Sequence, residues 1–243
     1  MTAVAIIQAR MGSSRLPGKI LADLAGQPML ARCVARVGRA QLLDEVLVAT
    51  TTSPADDATA ELCAARGWRC FRGSEDDVLD RYYQAARLHG ADLVVRVTSD
   101  CPFIEPEIVD RVMREFGDRQ PHVDYVSNFI PGRTYPRGLD VEVFTVRALE
   151  RAWREDGNSA WREHVTEYIL RNPDRFRLHG VRHSENLSRW RWTVDTAEDL
   201  RLAKLIYDAF RHDLFSWRDV LDLLAKHPQW AEINRNVAQT SVD

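Results

Sequence analysis

Three short apolar runs rich in β-branched residues recur along the N-terminal part of the chain: VAII from position 4, EVLVAT from 45 and DLVVRV from 92. Each has the length of a strand and little polar alternation, which is the signature of a strand buried on both faces. Helical periods fill the gaps. Residues 29–39 set Leu30, Val34 and Val37 on one stripe, and 54–66 open with Ser53 as an N-cap and Pro54 at the first helical position. Residues 77–89 continue the rhythm. Parallel neighbours need a crossover, so strands alternating with helices dictate βαβ units. The predicted fold is α/β, a doubly wound, mostly parallel sheet whose ligand site lies at the carboxyl ends of the strands.

After about position 120 the pattern changes. Strands are expected at 124–127 and 139–144, separated by a loop rich in Pro and Gly over 131–138. Helices follow at 145–155 and 159–171, then strands at 176–181 and 191–194, then amphipathic helices at 197–210 and 217–226. Neither an internal repeat nor a linker divides the chain. One domain over 1–230 is expected, with a loosely held tail at 231–243.

Composition narrows the function. Hydrophobic content of 45% and charged content of 28% argue against a disordered chain. No run approaches the roughly 20 apolar residues of a membrane span, and no basic leader precedes the first strand, so a cytoplasmic protein is expected, without a membrane partner. A net charge of −3 argues against a nucleic-acid partner, so any anionic ligand must be held locally. Cys33, Cys63, Cys70 and Cys101 form no metal-binding spacing and read as free thiols.

The densest chemistry is QARMGSSRLPGK at positions 8–19, directly after the first strand. Gly12 and Gly18 allow backbone N–H groups to approach an anion, and Ser13 and Ser14 add hydroxyl donors. Arg10, Arg15 and Lys19 offset the charge of a triphosphate. Among 33 lysines and arginines only Lys19, Lys204 and Lys226 are lysine, which singles Lys19 out. The segment is not a Walker A loop: five residues rather than four lie between Gly12 and Gly18, and Ile20 stands where a metal-binding Ser or Thr belongs. Nor does it have the GxGxxG spacing of a dinucleotide site.

Asp100 follows one predicted strand and Asp195 ends another strand-like segment. Either reads as a helix cap or turn residue, or both as a pair converging on one divalent cation. Asp140 and Glu142 alternate along one predicted strand and would share a face, with Arg137 just upstream. His164 is a candidate general base as well as a plausible structural histidine.

The segment 8–19 resembles the signature loop of the cytidylyltransferase family that includes CMP-Kdo synthetases and acylneuraminate cytidylyltransferases. It is most similar to the branch called spore coat polysaccharide biosynthesis protein F. Further matches are FRGSEDDVLDRYY from 71, RVTSDCP from 96, RGLDVEVF from 137, REHVT from 162 and WTVDTAEDL from 192. Together they span roughly residues 3–210. One departure is Gln8, where the sugar-acid synthetases commonly have Pro.

The resemblance implies a Rossmann-like fold of the nucleotide-diphospho-sugar transferase type, and transfer of CMP from CTP to a small acceptor, an acidic sugar or related metabolite, in surface polysaccharide biosynthesis. It implies Mg²⁺ as cofactor, held by Asp100 and Asp195, with Arg10, Arg15 and Lys19 as the catalytic cations. The nucleotide would lie against Gln8, Ala9, Gly12, Ser13 and Ser14, with the backbone near 5–8 and Arg72, Gly73 and Ser74 around the cytosine. Arg137, Asp140, Glu142 and His164 are expected at the acceptor. A homodimer formed through residues 120–175, which would also serve the acceptor, follows by analogy. The competing readings are cytidylyl transfer to a phosphonate or phosphate, and a nucleotide-sugar-dependent glycosyltransferase of the same fold.

Overall fold

The first strand, β1 (Ala3–Gln8), buries both of its faces, because successive side chains point to opposite sides of a sheet and both sides are covered. Ala5 and Ile7 join one hydrophobic cluster, while Val4 and Ile6 join the other. The structure is a computed structural model in which residues 1–238 are described. The further strands are β2 (Glu45–Thr51), β3 (Arg69–Gly73), β4 (Leu93–Thr98), β5 (Tyr125–Ser127), β6 (Glu142–Thr145) and β7 (Leu178–Gly180). They form one sheet in the order β3-β2-β1-β4-β6-β5-β7. Only β6 runs against its neighbours, pairing antiparallel with β4 and β5. The expected doubly wound, mostly parallel sheet is therefore observed.

The helices are α1 (Met29–Val37), α2 (Asp57–Arg66), α3 (Val78–Leu88), α4 (Pro106–Gly117), α5 (Val146–Glu155), α6 (Ser159–Glu163), α7 (Glu167–Arg171), α8 (Ala197–Phe210), α9 (Trp217–Lys226) and α10 (Pro228–Ala231). Helices α1, α4, α8 and α9 bury apolar residues in the cluster on the Ile7 face, and α3, α5 and α7 in the cluster on the Ile6 face. Among the described residues, no helix is long and apolar enough to cross a membrane. Ile6 and Ile7 are wholly buried, and truncating either to Ala would cost about 2–5 kcal/mol.

The topology positions the site. The chain winds from β1 outward to β3, then returns to place β4 on the other side of β1, so strand order reverses at β1. Ligands of open α/β sheets bind at such a crevice, at the carboxyl ends of the strands. Gln8 is in register with Ala49 on one side and Thr98 on the other, so the loop after β1 and the turn after β4 leave the sheet together.

Several sequence expectations need correction. The strand expected at 139–144 begins only at Glu142, because the Asn128 side chain pairs with the backbone of Leu139 and Val141 in place of a neighbouring strand. Asp140 thus stands outside the strand. The helix expected at 159–171 is two short helices broken at Val165, whose φ of 62° is left-handed. Residues 191–194 form no strand, only a single bridge between Arg137 and Arg191. Ser53 makes no side-chain cap, and a 3₁₀ turn at Pro54–Asp56 precedes α2. The tail is not loose over 231–238: Asn234 is buried and donates to the Arg191 carbonyl and to Asp199. Residues 239–243 of the expected tail lie outside the described residues.

Candidate active site

The loop after β1 turns back on itself. The N–H groups of Ser13 and Gly18 both donate to the Met11 carbonyl, at 2.9 and 3.0 Å, and the Met11 N–H donates to Asp56 at 2.6 Å. Gly18 adopts a left-handed φ of 71°, which releases the chain into a 3₁₀ turn beginning at Lys19. The N–H groups of Gly12 and Ser14 have no partner among the described residues. Unbonded amides on a tight loop beside cationic side chains are the elements of an anion cradle.

This loop forms one wall of a cavity of about 300 Å³. Of the sequence-predicted residues, Gln8, Ala9, Arg10, Gly12, Ser13, Ser14, Arg15, Lys19, Asp100, His164 and Asp195 all line it. Residues far apart in the chain converge on Lys19. Its Nζ donates to Asp100 Oδ2 at 3.0 Å, to Asp195 Oδ1 at 2.8 Å and to the Val194 carbonyl at 2.9 Å. Burial works to lower the Lys19 pKa, but the two carboxylates outweigh it and raise it, so the ammonium is charged. Burial likewise opposes ionisation of Asp195, yet the Lys19 charge and then Arg15 bring its pKa down to about 2. Arg15 lies 3.1 Å and Arg191 2.8 Å from Asp195 Oδ2. Asp100 accepts from the Thr98 hydroxyl.

Among the described residues no group of three or more His, Cys, Asp or Glu side chains is arranged to hold a metal. Asp100 and Asp195 nevertheless form a two-carboxylate donor set bridged by one ammonium. That set fits a hard divalent cation such as Mg²⁺, which completes its shell with water and substrate phosphate rather than a protein cage.

His164 lines the cleft opposite, at the break between α6 and α7. Burial, then the charges of Arg96 and Arg10, lower its pKa against Glu163 and Glu167, leaving a neutral imidazole able to accept a proton. The neighbouring Val165 holds a left-handed backbone that a β-branched residue adopts only under strain of about 1–3 kcal/mol. Arg162 docks this turn onto α3 through Asp77, at 2.8 Å. Arg10 reaches the same turn through Glu163, at 2.9 Å.

The remaining expected residues lie elsewhere. Arg72 ties β3 to the end of β2 through the Thr51 and Ser53 carbonyls and Asp57, Gly73 packs against Arg81, and Ser74 caps the turn before α3. None of the three lines the cleft. Asp140 pairs with Arg133, whereas Glu142 is buried and held by Arg96, Tyr125 and Thr166. The two carboxylates therefore do not form an acidic pair on one face. Glu142 fixes Arg96, which in turn donates to the Gln8 side chain at 3.1 and 3.2 Å, so it orients a cleft residue without lining the cleft. Arg137 opens onto a different cavity.

Sequence reasoning missed Arg81. It is 1% exposed, lines the cleft, and donates to the Ser74 carbonyl at 2.6 Å, while its Nε has no partner. Burial, and Arg10 beside it, lower its pKa. The signal was a lone arginine inside the apolar stripe Val78, Leu79, Tyr82, Ala85 of α3.

The cytidylyltransferase family model matches residues 4–226. The chain belongs to the cytidylyltransferase family. Uncharacterized protein MJ1063 of Methanocaldococcus jannaschii is 39% identical over 243 residues, 99% of this chain and 98% of that protein. Spore coat polysaccharide biosynthesis protein SpsF of Bacillus subtilis is 32% identical over 236 residues, 93% of this chain and 95% of that one. The structure of a cytidylyltransferase from Leptospira borgpetersenii superposes with a TM-score of 0.91 at 32% identity, covering 99% of this chain and all of that one, at 100%. The family resemblance of the motifs is thus borne out, and with it the Rossmann-like fold.

Proposed function

We propose that this cytidylyltransferase moves a CMP group from CTP to a small acceptor, an acidic sugar or related metabolite, with release of pyrophosphate, and that it serves surface polysaccharide biosynthesis. The observation that carries the reading is Lys19 held between Asp100 and Asp195 at the strand-order reversal, directly under a loop of unbonded amides and arginines. The name of the spore coat relative supports the polysaccharide setting.

In the proposed reaction an acceptor oxygen attacks the α-phosphorus of CTP in line with the leaving pyrophosphate. The new O–P bond forms as the bond to the β-phosphate oxygen breaks, and the acceptor hydroxyl loses its proton. His164, neutral and in the cleft, is placed to take that proton. Lys19, Arg10 and Arg15 stabilise charge as it develops on the departing pyrophosphate, and the Gly12 and Ser14 amides hold phosphate oxygens. Asp100 and Asp195 would hold Mg²⁺, which supplies Lewis-acid stabilisation of phosphate charge when bound. The same two carboxylates keep Lys19 charged and aimed into the cleft. Gln8, fixed by Arg96, and Arg81, with its unpartnered Nε, are the groups best placed to read the nucleotide.

The test is pyrophosphate release from CTP, UTP, GTP and ATP against a panel of sugar acids, phosphonates and sugar phosphates, with Mg²⁺ or with EDTA. Release from CTP alone, with a sugar acid and only when Mg²⁺ is present, is the expected outcome. Release with a phosphonate or phosphate would move the acceptor to that class, and consumption of a nucleotide sugar with no triphosphate turned over would overturn the reading.

A further inference from the structure

The cytidylyltransferase family model ends at residue 226, yet the chain beyond it returns to the active site. Helix α10 and the residues up to 238 fold back against the segment that leads into Asp195. Asn234, 4% exposed, sends its side-chain amide to the Arg191 carbonyl at 2.9 Å and to Asp199 Oδ1 at 2.8 Å. Four residues on, the Ala238 carbonyl accepts from Arg15 at 3.3 Å, the arginine that also pairs with Asp195 at 3.1 Å.

Asp199 is where this tail meets the chemistry. Its Oδ1 accepts from Arg191 Nε at 2.9 Å as well as from Asn234, and its Oδ2 accepts from Arg191 at 2.9 Å and from the Asp195 and Thr196 amides at 3.0 and 3.1 Å. Donors on both oxygens fix the plane of a buried carboxylate, and that plane sets where the Asp195 backbone lies. Arg191 is held at two points by the same two residues. Asn234 takes its carbonyl and Asp199 its guanidinium, which then reaches Asp195 Oδ2 at 2.8 Å. Packing holds the tail less closely: Trp230 and Ile233 are only half-buried, and cavities of about 430 and 410 Å³ open between the tail and its neighbours, one at Arg191 and one at Thr196. The two Asn234 bonds are the specific link from tail to site.

We propose that Asn234 is a positioning residue for cytidylyl transfer, acting through Asp199 to hold Asp195 and Arg191 in place, so that the C-terminal segment beyond the family model belongs to the active site. The proposal rests on the transfer reading, in which Asp195 is one of the two carboxylates that would hold Mg²⁺. Residues that support a metal-binding side chain from behind change metal affinity by about 10–100-fold when removed. Asn234 does not line the cleft. Its loss therefore leaves the direct nucleotide contacts in place and is felt in what the metal adds to CTP binding.

The test is calorimetric titration of CTP into the full chain, in EDTA and in Mg²⁺, and the readout is the factor by which Mg²⁺ tightens CTP binding. Asn234→Ala, and Asn234→Leu, which fills nearly the same volume without a donor, should each shrink that factor about tenfold or abolish it. CTP affinity in EDTA should stay within about threefold of the wild type. The Leu variant carries the test where the Ala variant folds poorly. Two controls separate positioning from loss of stability. Arg235→Ala, at the exposed neighbour of Asn234, should match the wild type. Val220→Ala, a truncation in the apolar core on α9, should lower Tm yet keep the Mg²⁺ factor. A wild-type factor in a folded Asn234 variant, or an equal loss in Val220→Ala, would overturn the proposal and leave the transfer reading standing. A wild type that binds no CTP, or binds it no more tightly with Mg²⁺, overturns the reading and the proposal together.

Discussion

Lys19 Nζ and Asp195 Oδ1 lie 2.8 Å apart although 176 residues separate them in the chain. The contact closes only because β1 and the segment before α8 both deliver their ends to the same edge of the sheet, beside the turn that follows β4. It ties the first loop of the fold to the start of α8, opened by the capping box of Thr196 and Asp199. Asp199 itself accepts from Arg191, from the Asp195 and Thr196 amides and from Asn234, so the carboxylate facing Lys19 stands on a buried polar support.

Replacing Lys19 with Ala is expected to lower kcat by about 10²–10³ while the KM for CTP changes less than tenfold, as for loss of one donor to developing charge. Steady-state kinetics against CTP measure this. A normal kcat with only a raised KM would contradict a transition-state role.

His164 has its pKa lowered from 6.5. If it accepts the acceptor's proton, kcat/KM should rise with pH along an acid limb whose midpoint lies below that value and be level through neutrality. His164→Gln should remove the limb and lower the rate about 10²-fold. An unchanged limb in the variant would assign the titration to another group.

Gly138 has φ of 100°, and a Cβ there would lie 2.4 Å from the Thr193 backbone nitrogen. Gly138→Ala must therefore push away the segment that leads into Asp195. The expected loss is at least about 2 kcal/mol of stability, from strain and overpacking together, with activity lost below the denaturation midpoint. Urea denaturation with a parallel assay reads both, and an active variant of wild-type stability would show that the segment does not need this approach.

Glu142 is 4% exposed and neutralises Arg96. Glu142→Ala leaves that guanidinium buried without its charge partner, which should cost about 3–5 kcal/mol and free Gln8. A loss under 1 kcal/mol by urea denaturation would mean the pair is solvated.

These residues also show which parts of the molecule sequence could reveal. The loop at 8–19 and Asp100 were legible because each follows a segment whose hydrophobic pattern is unambiguous, where strand direction alone decides which edge it reaches; Asp195 follows residues 191–194, which form no strand, and was reached through the motif resemblance. Asp140 was misplaced because apolar alternation continues through Leu139 and Val141, while the backbone there is captured by the Asn128 side chain, a contact across 11 residues that no local period encodes. Arg81 was hidden by its charge: it follows the acidic residues that open its helix, yet the helix turns it inward. The break at Val165 has no Gly or Pro to announce it. Helix α4, unnamed in the sequence reading, does carry a helical period at Ile108, Val109, Val112, Met113 and Phe116, and β3 was obscured by the charged residues of an edge strand.

The most direct measurement is calorimetric titration of CTP, UTP, GTP and ATP into the wild type and into an Asp100→Asn/Asp195→Asn double variant, each with and without Mg²⁺. The account predicts that CTP binds the wild type at least tenfold more tightly than the other triphosphates, that Mg²⁺ strengthens this binding, and that the double variant keeps CTP affinity in EDTA but gains nothing from Mg²⁺. Equal affinity for all four nucleotides, or a Mg²⁺ effect that survives in the double variant, would contradict it.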